Sequence, residues 1–168
     1  MSAKKRILIV DDESNIRRIL QVAFEKDGYR AEVAEDAYAA LSKLDDDSFD
    51  CMLTDVTMPG KTGYELLQEA KTKHPDMPVV IMTAYGTIPQ AVQAIRDGAF
   101  EYITKPFDLD NLKKVVAASM ESGEAVQKPK KKHDKKSVDF IAESPAMKEV
   151  YETIQQVADS RATVLITG

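Results

Sequence analysis

Five polar residues stand where apolar runs end. Asp11 and Asp12 follow Ile7-Leu-Ile-Val10, Asp55 follows Cys51-Met-Leu-Thr54, Thr83 follows Pro78 to Met82, and Lys105 follows Phe100 to Thr104. Short apolar runs bounded by turn residues read as strands buried on both faces of a parallel sheet. In such a sheet ligands gather beyond the carboxyl ends of the strands, so these side chains are expected in one crevice. Three carboxylates there repel one another unless a cation joins them, and hard oxygen ligands with room for water favour Mg²⁺. A carboxylate beside Mg²⁺ can attack phosphorus and become an acyl phosphate. Asp55, alone before the turn forced by Met58-Pro59-Gly60, is the expected nucleophile. Lys105 would neutralise phosphoryl oxygens, and Thr83 would donate a hydroxyl hydrogen bond to one of them. Neither His74 nor His133 competes, because both sit in polar, Pro- or Lys-flanked surroundings that read as surface. Taken singly, an aspartate pair is as readily a helix cap and Lys105 a surface lysine. The chemistry is carried by four strand ends that each supply the residue type such a site needs.

The elements that must position these residues alternate regularly. Arg6 to Val10 reads as the first strand, and Ser14 is expected to cap a helix with Ile16, Ile19, Leu20, Ala23 and Phe24 inward, closed by Asp27-Gly28. Tyr29 to Val33 is a second strand, and Asp36 caps a helix through Ala37, Ala40, Leu41 and Leu44. After the strand that ends at Asp55, a helix behind Gly63 turns Leu66, Leu67 and Ala70 inward and breaks at His74-Pro75. Pro78 to Met82 is the fourth strand. Thr87 caps the next helix, with Pro89 in its first turn and Ala91, Val92 and Ile95 inward. Phe100 to Thr104 is the fifth strand, and Asp108 or Asp110 opens a last helix with Leu112, Val115, Val116 and Ser119 inward. Strand and helix in alternation with short loops imply parallel strands, right-handed crossovers and helices on both faces of one sheet.

With 168 residues the chain has room for one well-cored domain plus an appendage. No apolar run approaches the roughly 20 residues of a membrane helix, and the run after Lys4-Lys5-Arg6 stops at Asp11-Asp12-Glu13, unlike a signal peptide. A cytoplasmic protein without membrane contact is expected. The single cysteine, Cys51, lies in an apolar strand and reads as a packed core thiol.

The net charge of −5 hides an asymmetry. Residues 1–124 carry 15 Lys and Arg against 22 Asp and Glu, whereas residues 125–168 carry 8 against 6. Between them the apolar pattern gives way to Lys128-Pro129-Lys130-Lys131-Lys132-His133-Asp134-Lys135-Lys136, which reads as a solvated linker. Nucleic-acid contact through these lysines is the alternative, with no neighbouring aromatics to support it. Beyond it, Ser144-Pro145 opens a helix with Met147, Val150, Ile154 and Val157 inward, and Thr163 to Thr167 is a buried-type strand. One helix and one strand cannot bury their apolar faces alone, so they read as the beginning of a further domain.

The motifs resemble those of the receiver domain of two-component response regulators. Val10-Asp-Asp-Glu13, Asp55-x-x-Met58-Pro59-x-x-x-Gly63, Thr83-Ala84 and Lys105-Pro106 all fall at that family's spacing, over about residues 4–122. The resemblance implies a flavodoxin-like (βα)5 fold with strand order 2-1-3-4-5. It implies that Asp55 accepts a phosphoryl group from a histidine kinase and that Asp11, Asp12, Asp55 and the Thr57 backbone carbonyl ligate Mg²⁺. Thr83 and Lys105 would contact the phosphoryl group, and Tyr102 would act with Thr83 as a rotameric switch; its bland alternative is a half-buried strand tyrosine. Lys105-Pro106 would be a cis peptide. A homodimer is implied, through the face of helix 87–97, strand 100–104 and helix 108–122 or through an extended last helix.

Residues 140–168, from Ile141-Ala-Glu-Ser144 to Val164-Leu-Ile-Thr-Gly168, resemble the opening of the AAA+ domain of sigma-54-dependent activators of the nitrogen-regulatory type. That implies a receiver domain at 4–122, a basic linker at 123–139 and the start of the ATPase at 140–168. Gly168 would be the first glycine of the phosphate-binding loop, whose remaining residues lie beyond it, so no ATPase is expected here. DNA and sigma-54 polymerase would be met only through further domains. The chain is thus expected to be a phosphoacceptor switch whose only chemistry is its own phosphorylation and dephosphorylation at Asp55. Two rivals are a Mg²⁺ phosphohydrolase, for which Thr57 stands where the general acid is needed, and a scaffold that never takes phosphate, against which the intact acid pair, Thr83 and Lys105 argue.

Overall fold

The computed structural model describes residues 3–124, with side chains through 122. Strands β1 (Arg6–Val10), β2 (Arg30–Ala34), β3 (Cys51–Asp55), β4 (Val79–Thr83) and β5 (Glu101–Thr104) alternate with helices α1 (Ser14–Lys26), α2 (Ala37–Asp46), α3 (Gly63–Lys73), α4 (Ile88–Arg96) and α5 (Leu109–Glu124). All strand pairs are parallel and the sheet order is β2-β1-β3-β4-β5. β3 and β4 are buried along their whole length, which is why they read as unbroken apolar runs.

Because successive strand side chains point to opposite faces, each strand feeds two cores. Leu8, Val10, Met52, Ile81 and Tyr102 pack with Leu41 of α2, Leu66 and Leu67 of α3 and Ala91 and Ala94 of α4. Ile7, Ile9, Leu53, Met82 and Ile103 pack with Leu20 and Phe24 of α1 and Leu112 and Val116 of α5. Cys51 lies in the second core, where burial pushes its thiol up to about 12 and the Ser119 hydroxyl donates to its sulfur.

Several local expectations are corrected. Ser14 is the first residue of α1 and not its cap; Glu13 holds that position, and no side chain caps the helix. Ile19, expected inward, is 56% exposed, because the buried stripe of α1 runs through Leu20, Ala23 and Phe24. On α4, Ala94 is buried while Val92 and Ile95 are only half-buried. β2, β4 and β5 each start one residue later than read. At β2 the cause is local: Gly28 takes a positive φ of 91° and Tyr29 N bonds Phe24 O, so the chain is still leaving α1 at Tyr29. α3 carries a reciprocal cap that was not anticipated, with Thr62 accepting from Glu65 N while the Glu65 carboxylate accepts from Thr62 N. His74 is half-buried, its Nε2 3.0 Å from Leu44 O, and not simply on the surface. The linker at 123–139 (beyond the helical backbone of residues 123 and 124), the AAA+ start at 140–168 and His133 lie outside the described residues.

Candidate functional site

Adjacent parallel strands in register bring their ends level. Val10 pairs with Thr54, so Asp11 emerges beside Asp55; Thr83 pairs with Thr104, so Lys105 leaves β5 one step beyond Thr83. Asp11 N still bonds Ala34 O at 3.2 Å and Lys105 N bonds Thr83 O at 2.7 Å, so both side chains hang from backbone the sheet fixes. Ligand oxygens of Asp11, Asp12 and Asp55 lie within 4.8 Å of one another. Asp11 and Asp55 are buried, Asp12 is exposed.

Lys105 closes the cluster from the far side. Its Nζ donates to Asp11 Oδ2 at 2.8 Å and lies 3.5 Å from Asp55 Oδ1 and 3.6 Å from Glu13 Oε1. Burial pushes the Asp55 carboxyl up and the charge of Asp11 adds to this, while Lys105 opposes it. Burial works to lower the Lys105 ammonium, but the hydrogen bond from Asp11 and the charges of Asp11, Asp55 and Glu13 outweigh it and leave it raised. A carboxylate that is poorly solvated and only partly neutralised is a site with unspent affinity for positive charge. The Lys105-Pro106 peptide is cis, as the resemblance implies.

Thr83 is buried at the end of β4, where its Oγ1 accepts from Tyr85 N at 3.2 Å. Thr57 is exposed, two residues past Asp55 in the turn that leads to α3. Tyr102 is 3% exposed, not half-buried, and its hydroxyl lies 3.4 Å from that of Tyr64. The backbone of Gly86 lies against the Tyr102 ring so closely that a Cβ there would come within 3.1 Å of Tyr102 Cε1 and 2.8 Å of Thr104 Cγ2.

Some contributors carry no chemistry of their own; Arg17 and the Thr62 cap escaped the sequence reading, and Gly63 stood in the motif without a stated role. The Arg17 guanidinium donates to the Asp11 and Asp12 carbonyls at 2.6 and 3.0 Å, fixing the turn that presents the acid pair. Gly63 approaches Asp55 so closely that a Cβ would sit 2.1 Å from Asp55 O, while its N–H bonds Val56 O at 2.9 Å. The pairing of Thr62 with Glu65 is the capping-box spacing, a signal that was available in the sequence.

A model of the response regulator receiver domain matches residues 7–117. The chain belongs to the response regulator receiver family. It is 37% identical over 173 residues to the regulatory protein AtoC of Escherichia coli K12, an alignment spanning 100% of this chain and 38% of AtoC. It is 36% identical to the DNA-binding transcriptional regulator NtrC of Salmonella typhimurium, over 96% of this chain and 35% of that protein. The chain thus spans little more than a third of the length of these relatives. Among solved structures, the beryllofluoride-activated NtrC4 receiver domain dimer matches with a TM-score of 0.68 and 31% identity, covering 70% of this chain and 98% of that one. The Thermotoga maritima response regulator TrrA, solved with Mg²⁺ and beryllofluoride, matches with a TM-score of 0.63 and 36% identity, covering 68% and 98%. The fold and the two-component receiver family implied by the motifs are therefore those of this chain. No described helix is long and apolar enough to cross a membrane.

Proposed function

We propose that Asp55 is the phosphoryl acceptor of a two-component switch, charged by a histidine kinase. The reading is carried by one observation: the oxygens of Asp11, Asp12 and Asp55 and the ammonium of Lys105 converge at the carboxyl edge of the sheet. An Asp55 oxygen attacks the phosphorus of the donor's phosphohistidine, the P–O bond forms as the P–N bond breaks, and the departing imidazole takes a proton from water. Lys105 turns from the carboxylates toward the new phosphoryl oxygens, and Thr83 gives its hydroxyl hydrogen to one of them. Hydrolysis by water later returns Asp55 and inorganic phosphate. The donor set is all oxygen and anionic, which suits Mg²⁺, held by Asp11, Asp12, Asp55 and the Thr57 carbonyl; when bound, the ion neutralises charge between acceptor and phosphoryl group.

The Thr83 hydroxyl that would donate to the phosphoryl group also accepts from Tyr85 N, so a turn of Thr83 toward that group would pull on the loop lying over Tyr102. Thr83 and Tyr102 are thus the proposed switch, read out on the face of α4, β5 and α5 or through an extended α5 as a change in homodimer population. The domain division is proposed as receiver 4–122, linker 123–139 and AAA+ start 140–168. The output is control of a sigma-54-dependent AAA+ activator, with DNA and polymerase met through that protein's further domains. The setting is cytoplasmic.

The test is intact mass after incubation with Mg²⁺ and acetyl phosphate. A single phosphoryl addition that vanishes in Asp55→Asn is expected. Sustained turnover of assorted phosphate esters would point to a hydrolase instead, and no addition at any Mg²⁺ concentration would leave a scaffold.

A further inference from the structure

The turn from β3 to α3 carries Thr57 and is held unevenly. Its ends are tied, by Val56 N to Met82 O at 3.0 Å and by Gly63 N to Val56 O, and Met58 is buried in the core beneath it. Between Thr57 and Lys61 no backbone hydrogen bond is made among the described residues. The apex, with Pro59 and Gly60 exposed and Lys61 half-buried, instead meets a residue from another element. The Tyr38 ring, on the first turn of α2, lies under it: a Cβ on Gly60, whose φ is +81°, would come 3.2 Å from Tyr38 Cε2, and Lys61 Nζ stands 5.2 Å from the ring centroid. Lys61 is in turn ion-paired with Glu69 of α3. Tyr38 itself is 60% exposed, so core packing does not account for an aromatic residue at this position.

We infer that Tyr38 is a positioning residue for the phosphoacceptor site, clamping the turn between α2 and α3 so that the Thr57 backbone stays where the acid cluster needs it. The chain of contact runs Tyr38, Gly60 and Lys61, Glu69, bridging two helices across a segment with no backbone bonds of its own. An aromatic face against a lysine and a glycine backbone restrains both without a directional bond. The inference rests on the phosphoacceptor reading for its purpose, not for its geometry.

The experiment uses the whole chain with Tyr38→Ala and Tyr38→Phe. Alanine favours helix at this position and phenylalanine keeps the ring. Three quantities are read: amide order parameters of Thr57, Met58, Gly60 and Lys61, Mg²⁺ affinity from an NMR titration, and the thermal midpoint. In Tyr38→Ala the order parameters should fall and Mg²⁺ affinity should drop about two- to fivefold, the scale of an exposed cation–π contact. Tyr38→Phe should restore both, and all three proteins should melt together. Unchanged order parameters in Tyr38→Ala, or a phenylalanine variant that behaves like alanine, overturns the inference. If the parent chain never takes phosphate from acetyl phosphate, the phosphoacceptor reading fails, and the order parameters still decide whether Tyr38 holds the turn.

Discussion

Lys105 Nζ donates to Asp11 Oδ2 at 2.8 Å across 94 residues of sequence; Asp11 is fully buried and Lys105 half-buried. The pair keeps the acid cluster tolerable in the absence of other cations. Replacing Lys105 by methionine leaves Asp11 and Asp55 facing each other without a counter-charge, and losing one partner of a buried pair costs about 3 kcal/mol. Lys105→Met should therefore unfold at lower urea, with millimolar Mg²⁺ recovering part of the loss. A midpoint that Mg²⁺ leaves unmoved would contradict the site as drawn.

Gly63 is required by space. Its backbone passes so close to the Asp55 carbonyl that a methyl group would meet the oxygen at 2.1 Å. Gly63→Ala should cost about 3 kcal/mol by forcing the turn away from β3, and phosphoryl uptake at Asp55 should fall with it. Denaturant melts and intact mass check the two effects separately, and a variant that folds and is phosphorylated like the parent would refute the close approach.

Gly86→Ala addresses the cover over Tyr102. The added methyl would crowd Thr104 Cγ2 and the Tyr102 ring, of which Thr104 is exposed and free to move. The stability cost should stay at about 1–2 kcal/mol while the ring resonances of Tyr102 shift. Unshifted resonances would mean that the loop yields and the ring does not.

Glu101 supplies a pH dependence. It is buried at the start of β5, its carboxylate accepts from Tyr102 N at 2.9 Å, and among the described residues it has no ion-pair partner. Burial raises its carboxyl above the usual range, opposed by that backbone bond. The folded chain therefore holds this proton more tightly than the unfolded one, and stability falls as pH rises from the ordinary carboxylate range through the raised value. Glu101→Gln keeps the acceptor and removes the titration. Parent and variant should be nearly equal near pH 4, with the variant gaining stability toward pH 7; parallel curves from pH 4 to 8 would exclude the effect.

The site was legible in the sequence because its chemistry sits at strand ends, where an apolar run stops on a single polar residue. Asp11, Asp55 and Lys105 needed only the parallel sheet to bring them together, and Thr83 ends the strand next to that of Asp55. What stayed hidden depends on rotation and on fine distance. Helical spacing admits Ile19 to the inward stripe of α1, and nothing in its type reveals that it lies past the edge. The full burial of Tyr102 was not legible in its strand, because it comes with the approach of Gly86 and Tyr64 from other elements. Tyr38 gave no signal at all, since the loop it touches is distant in sequence.

The sheet order has a consequence for how the protein is made. The residues of β1 are made first, yet its acid pair gains Asp55 only with β3 and a counter-charge only when the segment after β5 is made. A chain emerging residue by residue therefore exposes an incomplete and self-repelling cluster until nearly all of residues 3–124 are out. The meeting of Asp11, Asp12, Asp55 and Lys105 is therefore a late event in the life of each copy.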